Sequence, residues 1–336
     1  MVKHETSLNG RARPTAHIPL LTGPQLCLAA MAAIAAVCAY LFMTAGASES
    51  SVFILELRAR KLATLLLVGG AIGMSTVLFQ TATGNRILTP GLMGFDSLYL
   101  LIHTCIAFAW GRTVSAALDA RWLFVVQVAV MMLISVLLYR VLFSAGRRSL
   151  HQLVLAGVVI GLLFRSLSSF IERILQPSEF AFLQDRFFAS FNHPDRGVLG
   201  MAIIASVLAM ACVVRLARAC DVLALGRDIA VNLGAGYQRL VSHILVLVAA
   251  LVSVSTALVG PVTFFGLLVA HLSYQLMPTH RHALLLPASA LLGFICLTFG
   301  QIVLEHVFAF GASLRVVVEF LGGLTLLVLL IRGATR

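Results

Sequence analysis

The sequence predicts an all-α, polytopic membrane protein with about ten transmembrane helices and both termini in the cytoplasm. Two observations carry this. Of 336 residues, 60% are hydrophobic and only 11% charged, with a mean hydropathy of +1.01, whereas soluble domains run nearer half apolar and a quarter charged. The apolar residues also come in continuous runs close to the ~20 residues a bilayer-spanning helix needs, and about 200 of them suffice for roughly ten spans. A soluble enzyme, a secreted module and a disordered tail are excluded. Continuous runs also argue against a membrane barrel, whose strands alternate over short segments.

Residues 1–25 are polar and basic (Lys3, Arg11, Arg13) and are expected as a cytoplasmic N-terminal segment. The first span, 26–46, exceeds a signal peptide's apolar core and leads into further spans, so it reads as an anchored helix. The others are expected at 62–80, 92–110, 122–143, 152–172, 197–216, 240–259, 262–277, 284–305 and 316–332. No repeat of about 20–50 residues appears, nor any long linker, so 26–336 reads as one transmembrane domain. An even number of spans puts both termini on one side. With the N-terminus inside, the inner segments hold 14 of the 24 basic residues, a modest positive-inside bias.

Two connecting stretches are longer than a turn requires. Residues 173–196 fall outside. Residues 215–239 fall inside and mix Val222, Leu223, Leu225, Ile229, Val231 and Leu233 with Asp221, Arg227, Asp228 and Asn232. This pattern predicts two short amphipathic helices broken at Gly226 and closed by Gly234. They could lie on lipid, but their low basic charge and Gly-broken form favour docking on a protein partner.

The net charge of +11 does not point to nucleic acid, because the basic residues are scattered between spans and form no stripe with aromatics. The six cysteines contain no C-x-x-C pair and mostly sit in apolar runs, as small packing residues. No phosphate-binding G-x-x-x-x-G-K-[ST] loop is present, nor H-E-x-x-H, nor G-x-S-x-G. His103, His243, His271 and His306 lie at no helical metal-ligand spacing, so packing or cavity-lining roles are favoured over a bis-histidine haem.

Small residues are the clearest pattern within the spans. Gly69 and Gly73, and Gly157 and Gly161, form small-xxx-small pairs that let helices approach closely. Ser75, Thr76 and Gln80 share the second span with Gly69, Gly70 and Gly73, which suits either tight packing or a translocation path. Among ionisable residues in or near spans, Asp96, Arg165, Glu305 and Glu319 are functional candidates. Arg165, with Arg173 and Arg186, would place positive charge near an outer mouth. Arg58, Arg60 and Lys61 form a basic group just before the second span, where such residues often anchor a helix at headgroup level.

Four ordered segments resemble one family. LRARKLATLLLVGGAIGMSTVLFQTATGNRILTPGLMG (Leu57–Gly94) resembles the basic entry, Gly/Ala-rich helix ending in Gln, and N-P-L-x-x-P-G-L-L-G loop of iron–siderophore and cobalamin ABC importer permeases. LVLAGVVIGLLFRSLSSF (Leu153–Phe170) is similar to the fifth helix of that family. DVLALGRDIAVNLG (Asp221–Gly234) is similar to its coupling element. Gly260–Gly293 is similar to its G-P-I-G-F-V-G-L-x-x-P-H segment and the D-H-R-x-L-L-P stretch after it.

The resemblance implies a ten-helix subunit pairing with a second permease, identical or paralogous. Two cytoplasmic ATPases and a periplasmic siderophore-binding protein would complete the assembly. It implies ATPase coupling through Leu223, Leu225, Gly226, Ile229, Leu233 and Gly234, and binding-protein docking through Arg58, Arg60 and Lys61. Ser75, Gln80 and Arg165 are expected along the translocation path. The run from Phe164 to Asn192 is closest to permeases for catecholate-type siderophores, whose ferric complexes are anionic. The expected function is ferric siderophore import across the bacterial cytoplasmic membrane, with no catalytic residue, cofactor or metal ligand of its own. The alternatives are an ion-coupled secondary transporter working without an ATPase, and a membrane enzyme for which no His/Asp/Glu cluster is visible.

Overall fold

The computed structural model describes residues 23–44, 52–117, 119–144, 150–187, 191, 195–306 and 314–334. All but the last three residues of the expected N-terminal segment 1–25 lie outside them. No strand occurs among the described residues. The helices are α1 (Gly23–Thr44), α2 (Val52–Thr83), α3 (Phe95–Ala117), α4 (Ala120–Ser144), α5 (Leu150–Glu172), α6 (Pro177–Phe187), α7 (Arg196–Leu223), α8 (Arg227–Asn232), α9 (Tyr237–Val259), α10 (Phe265–Leu276), α11 (His282–His306) and α12 (Leu314–Ala334). A 3-10 turn, Pro90–Met93, precedes α3.

Seven of these helices, α1, α2, α4, α5, α7, α9 and α11, are long and apolar enough to cross a membrane. The shorter apolar stretches of α3, α10 and α12 complete, in chain order, the ten expected spans. One of the ten is only a partial span. α10 has 12 residues, which rise about 18 Å against a hydrocarbon core of about 30 Å. It starts late because α9 stops at Gly260, whose φ of 95° no helix accepts, and Pro261 follows. The non-helical residues Gly260, Pro261 and Val262 are buried, as irregular backbone at membrane depth requires. Beside them the Thr263 hydroxyl donates to Asp96 Oδ2 at 2.6 Å, tying this break to the start of α3.

The inner connecting stretch also differs from expectation. Its first part is no separate helix, because α7 continues unbroken to Leu223. Only α8, six residues long, stands apart. Gly226 introduces it with φ 96°, a conformation L side chains rarely adopt.

α2 is the central element and packs against α11, α9, α7 and α10. Its partnership with α11 is closest because glycines remove the side chains from the seam. A Cβ on Gly73 would stand 2.5 Å from the Ser289 carbonyl oxygen, and one on Gly69 would stand 2.6 Å from Gly293 C. Backbones in direct contact gain dispersion and exclude lipid, which is how helices associate where the hydrophobic effect is absent. The two helices run antiparallel. The start of α2 meets the end of α11 at one end of the bundle, and the end of α2 meets the start of α11 at the other.

Candidate functional site

The first end of the bundle carries a charged network. Lys61 Nζ reaches Glu305 Oε1 at 2.5 Å, and Gln301 Nε2 donates to the same oxygen at 2.8 Å. Lys61 is only 8% exposed. A buried charge is tolerable when paired and hydrogen-bonded, so the chain itself uses Lys61 to close the α2–α11 seam. Of the three basic residues expected for docking, Lys61 is thus the one enclosed in an internal pair. Arg58 donates to the Phe42 and Met43 carbonyls at 3.1 and 3.3 Å and satisfies the open end of α1. Arg60 pairs with Glu56 at 2.7 Å, and Arg196 at the start of α7 pairs with the same carboxylate. Arg60, Glu56 and Arg196 keep side-chain exposures of 24%, 39% and 65%.

Farther along α2, Ser75 and, near its end, Gln80 are buried. The Ser75 hydroxyl donates to Ile72 O at 3.0 Å, and Gln80 Nε2 donates to Arg86 O at 2.8 Å. Both are enclosed within this single chain, where every α2 residue from Leu67 to Gln80 is buried. Arg165 has the opposite setting. It is exposed on α5 among Leu162, Leu163 and Leu167, with Ser166 and Ser169 nearby, also exposed. A guanidinium on an apolar membrane helix is costly against lipid and cheap against a polar cavity or a partner. Arg173 is exposed just beyond α5, and the Arg186 side chain lies outside the described residues.

At the second end, α8 and its flanks present Leu225, Ile229, Val231 and Leu233 to the outside. Leu223 does not join them. It is 3% exposed against 54% for Leu225, because the last turn of α7 still packs in the core. Val231, absent from the expected coupling set, takes its place on the exposed surface. Gly226 and Gly234 both adopt positive φ at the two ends of α8. A second feature here joins three separate stretches of chain. Asp221 Oδ1 accepts from the His282 backbone N–H and from His282 Nδ1, both at 2.7 Å. His282 Nε2 lies 2.8 Å from Thr81 Oγ1. The carboxylate of α7 thus caps the N-terminus of α11, while the imidazole reaches the end of α2.

Among the described residues, no three His, Cys, Asp or Glu side chains gather as a metal-binding group.

This architecture matches a known fold. A metal-chelate type ABC transporter in an inward-facing conformation superposes with a TM-score of 0.80 at 21% identity, over 92% of this chain and 99% of that one. Family and relatives make this bundle a multi-pass permease subunit of an ATP-binding-cassette importer, resident in the cytoplasmic membrane. As a permease component it works with an ATPase and a substrate-binding partner. The chain belongs to the FecCD transport family, which matches residues 21–332. It is 42% identical over 308 residues to the petrobactin import system permease protein YclO of Bacillus subtilis, covering 92% of this chain and 98% of that protein. It is 39% identical over 290 residues to the petrobactin import system permease protein FatC of Bacillus anthracis, covering 84% and 81%.

Proposed function

We propose that this chain is one half of a two-permease translocation unit that imports ferric siderophores of the catecholate type, petrobactin being the substrate named for both Bacillus relatives. The observation that carries the reading is the outward part of α5, where Arg165 stands exposed within a membrane helix beside Leu162, Ser166 and Ser169. A second permease, identical or paralogous, covers that face, and an anionic ferric complex passes beside the guanidinium. The metal travels inside its chelate as cargo. Both termini lie in the cytoplasm, on the side of α8.

ATP hydrolysis belongs to two separate cytoplasmic subunits that seat on Leu225, Ile229, Val231 and Leu233, each side chain worth about 1.5–3 kcal/mol if fully buried there. A periplasmic siderophore-binding protein docks on the opposite end, where Arg60 and Arg196 flank Glu56. The test is uptake of ferric petrobactin into proteoliposomes holding this chain, its candidate partner permease and the ATPase, with loaded binding protein on the outer side. ATP-dependent uptake that disappears in the Leu225→Asp/Ile229→Asp variant, together with ATPase copurification, supports the reading. Uptake by this chain alone, driven by a proton or sodium gradient, identifies a secondary transporter instead.

A further inference from the structure

We propose that His282 is the positioning residue through which movement of the ATPase-facing segment reaches the central helix pair α2–α11; the inference rests on the reading of residues 225–233 as the ATPase seat. The starting point is mechanical. α8 is six residues long and packs against α7 and α9, the helices it joins. The helices that form the rigid centre are α2 and α11, held backbone to backbone at Gly69–Gly293 and Gly73–Ser289. A displacement delivered at α8 needs a stiff connection to that pair.

The Asp221–His282–Thr81 chain has the properties of one. Asp221 lies in the last turn of α7, three residues from the break that precedes α8. Its Oδ1 is held by two donors of the same residue, one on the backbone and one on the ring, so α7 cannot shift without pulling the first residue of α11. The imidazole is a planar, nearly inextensible spacer, and its far nitrogen meets the Thr81 hydroxyl. The Thr81 hydroxyl stands 2.8 Å from both Nε2 and Val77 O, so with Nδ1–H on Asp221 its one proton goes to Nε2 of the neutral ring, and to Val77 O when Nε2–H is the donor. His282 is 3% exposed, so the ring itself is kept from water, while the Asp221 carboxylate keeps 34% exposure at the end of the bundle. One side chain thus bonds α7, α11 and α2 together at the end of the bundle nearest α8.

The test uses the assembled transporter in proteoliposomes and reads the ATP consumed per substrate imported, alongside copurification of the ATPase and the thermal midpoint of the complex. His282→Ala and Asp221→Ala are expected to leave the ATPase bound and the midpoint within a few degrees, while raising the ATP-per-substrate ratio at least tenfold. Asp221→Asn keeps an oxygen that accepts both bonds and should stay within twofold of wild type. Thr81→Val, nearly isosteric, removes one arm and should raise the ratio severalfold, and Thr81→Ser should restore it. Wild-type coupling in His282→Ala and Thr81→Val, or equal losses in Asp221→Asn and Asp221→Ala, overturns the proposal while leaving the importer reading intact. Absence of ATP-dependent uptake in the wild-type complex removes both.

Discussion

α2 and α5 are both apolar membrane helices with glycines spaced four apart, yet they end in opposite surroundings. Of the most apolar stretch of α2, 83% is buried inside the chain, against 17% for α5. Hydropathy does not separate them, because lipid tails are as apolar as leucine and neither helix gains by leaving them. The difference is where the small residues point. On α2, Gly69, Gly70 and Gly73 are all buried: Gly69 and Gly73 meet α11 backbone, and Gly70 meets Met210 of α7 and Ala290 of α11. On α5, Gly161 admits Gly94 of the 3-10 turn along one strip, while Leu155, Val159, Leu162, Leu163 and Leu167 stay outside. Small residues decide which helices form the interior of a single chain; large apolar residues on a helix such as α5 are left for lipid or for a second subunit.

The comparison breaks most directly at the α2–α11 seam. Gly73→Leu places a branched side chain where Ser289 O stands 2.5 Å from the Cβ position and Val269 Cγ1 3.1 Å. Backbone cannot yield as a side-chain tip does, so the cost should fall at about 3 kcal/mol, the upper part of the overpacking range. Thermal unfolding of the full chain in detergent micelles should show a drop of several degrees. A wild-type midpoint would mean that the α2–α11 seam is looser than its geometry.

The Lys61–Glu305 pair gives the next largest effect on the same seam. Lys61→Met keeps the length of the stem and deletes the charge, leaving Glu305 with Gln301 as its remaining partner. Removing one member of a buried pair costs about 3–5 kcal/mol. Here both side chains keep 10–13% exposure at the bundle end, so about 2 kcal/mol is expected. The double change Lys61→Met/Glu305→Gln should recover part of it, because no uncompensated charge is left. Equal losses in the single and double variants would show that the seam draws nothing from the ion pair.

Legibility in the sequence divides along the same line. Run length and composition locate the ten apolar helices, because a span must satisfy its backbone within itself. Partners distant in sequence were not legible. Lys61 reads as surface charge beside Arg58 and Arg60, and its carboxylate is 244 residues away. Leu223 and Leu225 read as one apolar face, but the helix that carries Leu223 runs past the end of the apolar stretch into the 215–239 segment and keeps that residue in the core. Ser75 and Gln80 read as path-lining because polar residues beside glycines suit a path and a packed seam equally. His282 and Asp221 both stand in family-like segments, yet nothing in their spacing of 61 residues announces a shared hydrogen bond. The late start of α10 had a visible signal in Gly260-Pro261, which marks a break inside an otherwise continuous apolar run.

The smallest effect on the isolated chain should come from α5, and it separates lipid from a second subunit. Leu162 and Leu163 are exposed on α5, Leu162 one turn before Arg165 and on its side of the helix. At 61% and 59% exposure they give up little contact within this chain when replaced with Ala, so its own stability should change by no more than about 0.5 kcal/mol. Against lipid the same holds for the assembled transporter, since acyl chains fill whatever space the side chains vacate. Against a second permease the two leucines are knobs in a packed interface, and their loss leaves voids that neighbouring atoms cannot fill. The double variant should then keep its thermal midpoint as a single chain while the permease pair dissociates at lower detergent or lower protein concentration, read by light scattering. An unchanged pair would place lipid on this face and move the subunit boundary away from Arg165.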